Sequence, residues 1–429
     1  MRCIFLEQEW LVIRSFLPSR WQWQVKRTGA VRRMRGIKTY EKLLRALMLH
    51  ISGGLSLAQA SVRAKELGIA NLSGVALHNR LRAAAPWLAW LCGQLVAERD
   101  AQTPAAGALA GRRVLAVDAS DIREPGACGS SWRLHYALEL SELRCAHAEF
   151  TPHTCAENLA RFPVREHDVV MADRAYARRN QLAWLLERKA DAVVRISPSH
   201  FPVEAGAPEP DSDLPFDWLA HLRTLKRCAP AEWTVRFTHA GRQHTVRICA
   251  VRKDKASQKR ALRAIELEAR KKRRQVRPET LEYARYVIVL TTLDASVLDA
   301  RGVLELYRCR WQVELAFKRL KGLVLCARVP KSDAGTALSW MQGKLLEALL
   351  VEKLLSRADV LGSGDGMDGG GVTWELYKEA HDTLLRTLAP TLETSLFFEA
   401  WKAYPEKTSK TVVSKKKTNG CAEKTLDKK

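Results

Sequence analysis

The stretch from Tyr307 to Lys321, YRCRWQVELAFKRLK, carries the densest set of chemically useful side chains in the sequence. On one continuous helix turning roughly 100° per residue, Tyr307, Arg310, Glu314 and Lys321 fall within about 60° of one another. Trp311 and Lys318 flank that face. A carboxylate between an arginine and a lysine, beside a phenol and an indole, suits a nucleic-acid strand gripped through a cation. The acid holds the metal, the cationic side chains clamp phosphates, and the rings stack on an unpaired base. Standing alone, the same pattern also describes the solvated face of an amphipathic helix laced with ion pairs.

Two further acids bear on that choice. Asp118 follows the apolar run Val114–Val117, and Asp173 follows Val169–Ala172. An aspartate after a strand often only closes a turn. Two of them in an α/β sheet, followed by a helical glutamate, can converge on two divalent cations about 3.5–4 Å apart. Such a pair activates a water or a 3′-hydroxyl and stabilises the leaving oxygen of a phosphodiester. Asp118, Asp173 and Glu314 are therefore the expected catalytic and metal-ligating residues. Asp118 is preferred to Asp121 because it directly continues the apolar run. Cys145, His147, His153 and Cys155 lack the pair spacing of a zinc site.

The elements that must position these residues alternate. Strands are expected at Val114–Val117, Trp132–Leu140, Val169–Ala172, Ala192–Ile196 and Tyr286–Thr292, with a helix over Arg178–Lys189, which together indicate an α/β layer. Trp233–Phe237 and Thr245–Val251 read as a hairpin around Ala240-Gly241, followed by a basic helical arm over Lys253–Arg277. Before the sheet, Ser56 and Ser73 are placed to cap two short helices separated by a Gly68-containing turn. That pair is either a plain helical hairpin or a helix-turn-helix offering His78, Asn79, Arg80 and Arg82 to a DNA groove.

Six regions follow: 1–100 a helical DNA-binding domain, 101–200 the first part of the catalytic domain, 201–284 a β-rich insertion with its basic arm, 285–356 the second part of the catalytic domain, 357–403 a linker (Gly362–Gly371) and C-terminal helix, and 404–429 a disordered basic tail. The net charge is +23 with 47% hydrophobic residues, so the chain can build real cores and its partner is expected to be a polyanion. From Lys402 on, nine lysines face three acids, which leaves most of the positive charge on the body. The sequence has no apolar run of the roughly 18–20 residues a membrane span requires. It opens without a signal-peptide pattern, and its ten cysteines contain no CxxC pair, so a reduced, cytoplasmic setting is expected.

The spacing Tyr-x2-Arg-x3-Glu-x6-Lys, filled by Tyr307, Arg310, Glu314 and Lys321, resembles the signature of DDE-type bacterial insertion-sequence transposases of the insertion sequence 4 group. Val117-Asp118-Ala119-Ser120 and Asp173-Arg174-Ala175-Tyr176 resemble the surroundings of that family's two aspartates, and the similarity runs from about Arg35 to Glu352. The resemblance implies an α/β fold: an RNase H-like catalytic domain interrupted by a β-rich insertion, with helical N-terminal and C-terminal regions. It implies magnesium, with manganese as a substitute, and a homodimer acting on paired transposon ends. The partners implied are double-stranded DNA of the terminal inverted repeats and the target, met at the bacterial nucleoid and without a membrane. The chemistry implied is cut-and-paste transposition through a DNA hairpin. Tyr307, Arg310 and Lys321 would hold the distorted backbone beside a flipped base, with Trp311 and Lys318 adding DNA contacts.

Overall fold

The computed structural model describes residues 10–98, 107–126, 131–205, 216–226, 229–330, 333–357 and 373–388. The expected Gly362–Gly371 linker, the tail from 404 and most of the Pro202–Pro215 loop lie outside them.

Nine strands form one sheet: β1 (Val114–Ile122), β2 (Trp132–Glu139), β3 (Arg144–Pro152), β4 (Val169–Ala172), β5 (Asp191–Arg195), β6 (Glu204–Ala205), β7 (Pro230–His239), β8 (Arg242–Arg252) and β9 (Tyr286–Thr291). Their order across the sheet is β3-β2-β1-β4-β5-β9-β8-β7-β6. β1, β4 and β5 run parallel in the middle, and the other pairs are antiparallel. All four residues of β4 are buried, as a central parallel strand covered on both faces requires.

The hairpin forms where expected. His239 pairs with Arg242 across Ala240 (φ 49°) and Gly241 (φ 76°), the two positive φ values that match a two-residue turn to strand twist. Its second strand pairs with β9, so this segment extends the central sheet. One expectation changes: β1 does not stop before Asp118. It runs on to Ile122 because Asp118 to Ile122 pair antiparallel with Tyr136 to Trp132.

Two cores sandwich the sheet. Residues on β1 alternate between them, with Val114 and Ala116 in one and Leu115 and Val117 in the other. The first core joins Trp10 and Phe16, the N-terminal helices, one sheet face, and the C-terminal helices as far as Leu388. Among those helices are α3 (Tyr40–Ile51), α4 (Leu57–Glu66), α5 (Gly74–Ala83), α13 (Ala334–Arg357) and α14 (Trp374–Leu388). Ser56 and Gln59 close a capping box on α4, and Ser73 accepts from Ala76 N at the start of α5, as the sequence indicates. The basic arm forms α9 (Lys255–Lys272), capped by Asp254 and burying none of its residues.

α13 is buried nearly all round. It carries Lys344 and Glu347, which pair at 3.1 Å, while Glu347 accepts from His381 of α14 at 2.6 Å. All three side chains are fully enclosed. Among the described residues, no helix is long and apolar enough to cross a membrane.

Candidate active site

Strand register sets the first half of the site. Leu115 and Ala116 of β1 lie beside Val170 and Met171 of β4, and Met171 and Ala172 lie beside Val193 and Val194 of β5. Extending that register by two residues sets Asp118 beside Asp173, and by one more strand sets Asp173 beside Arg195. Neighbouring strands are about 4.8 Å apart, so three ionisable side chains form a row across the sheet. Ala116, Met171 and Val193 belong to the core that contains Tyr307, Val313 and Phe317. Alternation therefore turns Asp118, Asp173 and Arg195 toward the helices that carry Glu314.

The second half of the site differs from the continuous helix expected. α11 (Ala300–Arg308) ends at Cys309, and α12 (Trp311–Gly322) begins after Arg310. The chain stays right-handed through the junction but tightens: Arg310 N donates to Tyr307 O at 3.1 Å, and Val313 N donates to Arg310 O at 3.1 Å. These are three-residue rather than four-residue steps. Tyr307 and Glu314 thus stand on successive helices with Arg310 at the joint.

Arg310 ties the halves together. Its Nη1 donates to Asp118 Oδ2 at 3.3 Å, and its Nη2 donates to Glu314 Oε1. Its guanidinium lies 5.9 Å from the Tyr307 ring centroid, and Tyr307 itself is buried. The Asp118 side chain is 22% exposed and that of Glu314 59%, so the glutamate is the solvent-facing partner. Asp118 Oδ1 accepts from Ala119 N at 2.8 Å. Asp173 Oδ1 accepts from Ala175 N at 2.8 Å, a local turn bond that leaves Oδ2 without a partner among the described residues.

The remaining residues singled out from the sequence spread along α12. Trp311 is 51% exposed beside Arg310. Lys318 is exposed, with its Nζ 5.2 Å from the Trp374 ring of α14, and Lys321 is half-buried. Asp121 lies on the opposite sheet face from Asp118, bonded to Arg133 at 3.1 Å and to His153 at 3.3 Å.

Charges here are poorly balanced. Burial pushes the Asp118 carboxyl up to about 6; Asp173 and Glu157 add to the rise, while the Ala119 N–H and Arg310 oppose it. Glu157 is raised mainly by burial, with Asp173 and Asp121 adding to it. Burial also raises the Tyr176 phenol, helped by Glu157, Asp118 and Asp173, and its hydroxyl is enclosed with no hydrogen-bond partner among the described residues. Burial lowers Arg195. At Arg310 burial is outweighed by Tyr307, Asp118 and Glu314, which hold its pKa up.

Glu157 and Arg195 were not singled out from the sequence. Arg195 had a signal: it closes the apolar run of β5 as Asp173 follows that of β4. Glu157, 3.7 Å from Arg133, sits in a loop with no pattern to mark it.

The donor chemistry fits a hard divalent cation: carboxylate oxygens in an under-neutralised setting. Among the described residues, no three His, Cys, Asp or Glu side chains stand close enough to hold an ion together. Arg310, bridging Asp118 and Glu314, is the positive charge between them here.

Residues 109–333 match the family described as Transposase DDE domain. The transposase for insertion sequence element IS421 of Escherichia coli is 32% identical over 365 residues, covering 82% of this chain and 95% of that protein. The InsL protein of insertion sequence element IS186A of Escherichia coli K12 is 32% identical over 364 residues, with the same coverage. Among solved structures, the piggyBac transposase synaptic complex with hairpin DNA overlaps 94% of this chain and 87% of that one, at 10% identity and a TM-score of 0.42. A likeness at that score carries nothing further about this chain.

Proposed function

This chain belongs to the transposases with a DDE domain, and from that membership we propose that it moves an insertion sequence by cut-and-paste, with Asp118, Asp173 and Glu314 as the catalytic acids. The supporting observation is the register that sets Asp118 beside Asp173, with Glu314 linked to Asp118 through Arg310. The catalytic domain is read as RNase H-like, with residues 201–284 inserted into it, and the partners as double-stranded DNA of the element's ends and of the target. The working form is read as a homodimer.

Asp118, Asp173 and Glu314 would hold magnesium, which when bound supplies charge neutralisation for the attacking and leaving oxygens. For Glu314 to join the aspartates, its carboxylate must turn from Arg310. Its exposed position on the first turn of α12 leaves that rotation open. Arg310, once released, sits where it can pair with a DNA phosphate, and Trp311 beside it offers an exposed face to a base. The charge of a bound cation would favour the ionised Asp118 carboxylate, which burial otherwise pushes up to about 6. Buried Tyr307 supports the Arg310 guanidinium from below. Lys318 and Lys321 continue the cationic face along α12 toward the strand's phosphates.

The test is cleavage of DNA carrying the inverted repeats that flank the reading frame, with magnesium and the full chain. The reading expects hydrolysis, then a hairpin on the element's end, then joining to target. Nicks without hairpins or joining would make the protein a nuclease. Binding without cleavage would make it a silent relative.

A further inference from the structure

Away from the carboxylates, the N-terminal helices build a second charged surface. Between Arg20 and Arg82 the sequence carries thirteen lysines and arginines against Glu41 and Glu66. The loop 31–38 sorts its residues by face. Val31 and Ile37 are buried and Met34 packs on the core, while Arg32, Arg33, Arg35 and Lys38 are exposed.

That loop is fastened to the α4–α5 turn. Asn71 N donates to Gly36 O at 2.8 Å, Ile37 bridges Ala70, and Lys42 Nζ donates to Gly68 O at 2.8 Å. Arg80 of α5 reaches back to the carbonyls of Arg33 and Arg35. Gly36 is required at this contact: its φ is +75°, and a Cβ would lie 2.3 Å from Asn71 O. So Arg80, which only the helix-turn-helix reading offered to a groove, is an anchor instead, and His78 is half-buried. The outward face of α5 is Val75, Asn79 and Arg82, spaced by four and three residues, with Val75 72% exposed. Arg82 meets Asp333 at 3.7 Å in an exposed pair, which is weak and easily exchanged.

We propose that α5 reads base edges in the major groove of duplex DNA through Val75, Asn79 and Arg82, while the fastened loop grips the flanking phosphates through Arg32, Arg33, Arg35 and Lys38. An α-helix fits that groove in width. Asn bonds adenine through two hydrogen bonds, Arg does the same with guanine, and an apolar group meets the thymine methyl. Exposed arginines held at a fixed offset from the reading helix set register on the backbone without reading sequence. The surface lies on other elements than the carboxylates, so it extends the transposase reading to how the substrate is chosen.

The experiment is selection of the full chain, without magnesium, on a library of 20-base-pair random duplexes, followed by affinity measurement across salt. The wild type should enrich one motif. Asn79→Ala should lose preference at an adenine in it and bind that motif about tenfold more weakly. Arg33→Ala/Arg35→Ala should weaken binding to every duplex alike and lower the salt slope by about two. Circular dichroism checks that each variant is folded. The proposal falls if folded variants keep the wild-type motif, affinity and slope, or if the wild type prefers single-stranded RNA of equal length. Binding is read apart from cleavage, so failure here leaves the carboxylate reading standing, and failed cleavage leaves this one standing.

Discussion

Two acid clusters in this molecule solve the same electrostatic problem in opposite ways. Glu347 is wholly enclosed, and burial works against its charge. Lys344, His381 and Ser52 more than compensate and hold its carboxyl below the usual range. Asp118 is less deeply enclosed yet is pushed up to about 6: burial raises it most, Asp173 and Glu157 add to the rise, and the Ala119 N–H and Arg310, which is shared with Glu314, do not offset it. The first cluster balances the Glu347 charge within the protein. The second is short of positive charge, which is the condition a cation or a cationic partner relieves. The difference separates an acid that holds helices together from the acids proposed to catalyse.

The sharpest way to break that contrast is at the helices. Glu347→Gln leaves Lys344 enclosed without its counter-charge, and should cost about 3–5 kcal/mol of stability in denaturant unfolding. Asp118→Asn should do the reverse: cleavage of element-end DNA should drop by about 10²–10³-fold, the scale for losing one charge-stabilising group. Its unfolding free energy at pH 7 should rise by about 1–3 kcal/mol, since a costly buried charge is gone. A destabilised Asp118→Asn would end the claim that the site is under-neutralised.

The two acids also predict opposite pH behaviour. Asp118 is raised from 3.8 to about 6, so the folded state keeps a proton the unfolded state has released. Stability from this group falls as pH climbs through that window and is level above it. Glu347 is depressed below 4.5, so its contribution is present above 4.5 and is lost as pH falls through its folded value. Melting wild type, Asp118→Asn and Glu347→Gln from pH 3 to 8 separates the two. In the same melts, magnesium at about 100 times its dissociation constant should stabilise the wild type by about 2.7 kcal/mol, and Asp118→Asn by clearly less. The smallest effect belongs to Glu314→Gln. On an exposed face, it should change stability by no more than about 0.5 kcal/mol.

Much of the framework was legible because it is local. Ser56 and Ser73 cap where capping residues should, Ala240-Gly241 turns a hairpin, and Val169–Ala172 is a buried strand. What the sequence concealed depends on elements meeting across the fold. Arg195 joins Asp118 and Asp173 only through the β1–β4–β5 register. Arg80 looks like a groove-facing cation until the loop carbonyls of Arg33 and Arg35 claim it. The joint at Arg310 has no glycine or proline to announce it, so a helical wheel runs through it unbroken. Glu157 carries no periodicity at all.

The core that runs from Trp10 to Leu388 carries an evolutionary corollary. Relatives that share such a core cannot trade their first hundred residues like cassettes, because the recipient's sheet and C-terminal helices would lose the apolar surface shaped to meet them. Change in the first hundred residues that spares the fold is therefore confined to their solvent-facing side chains.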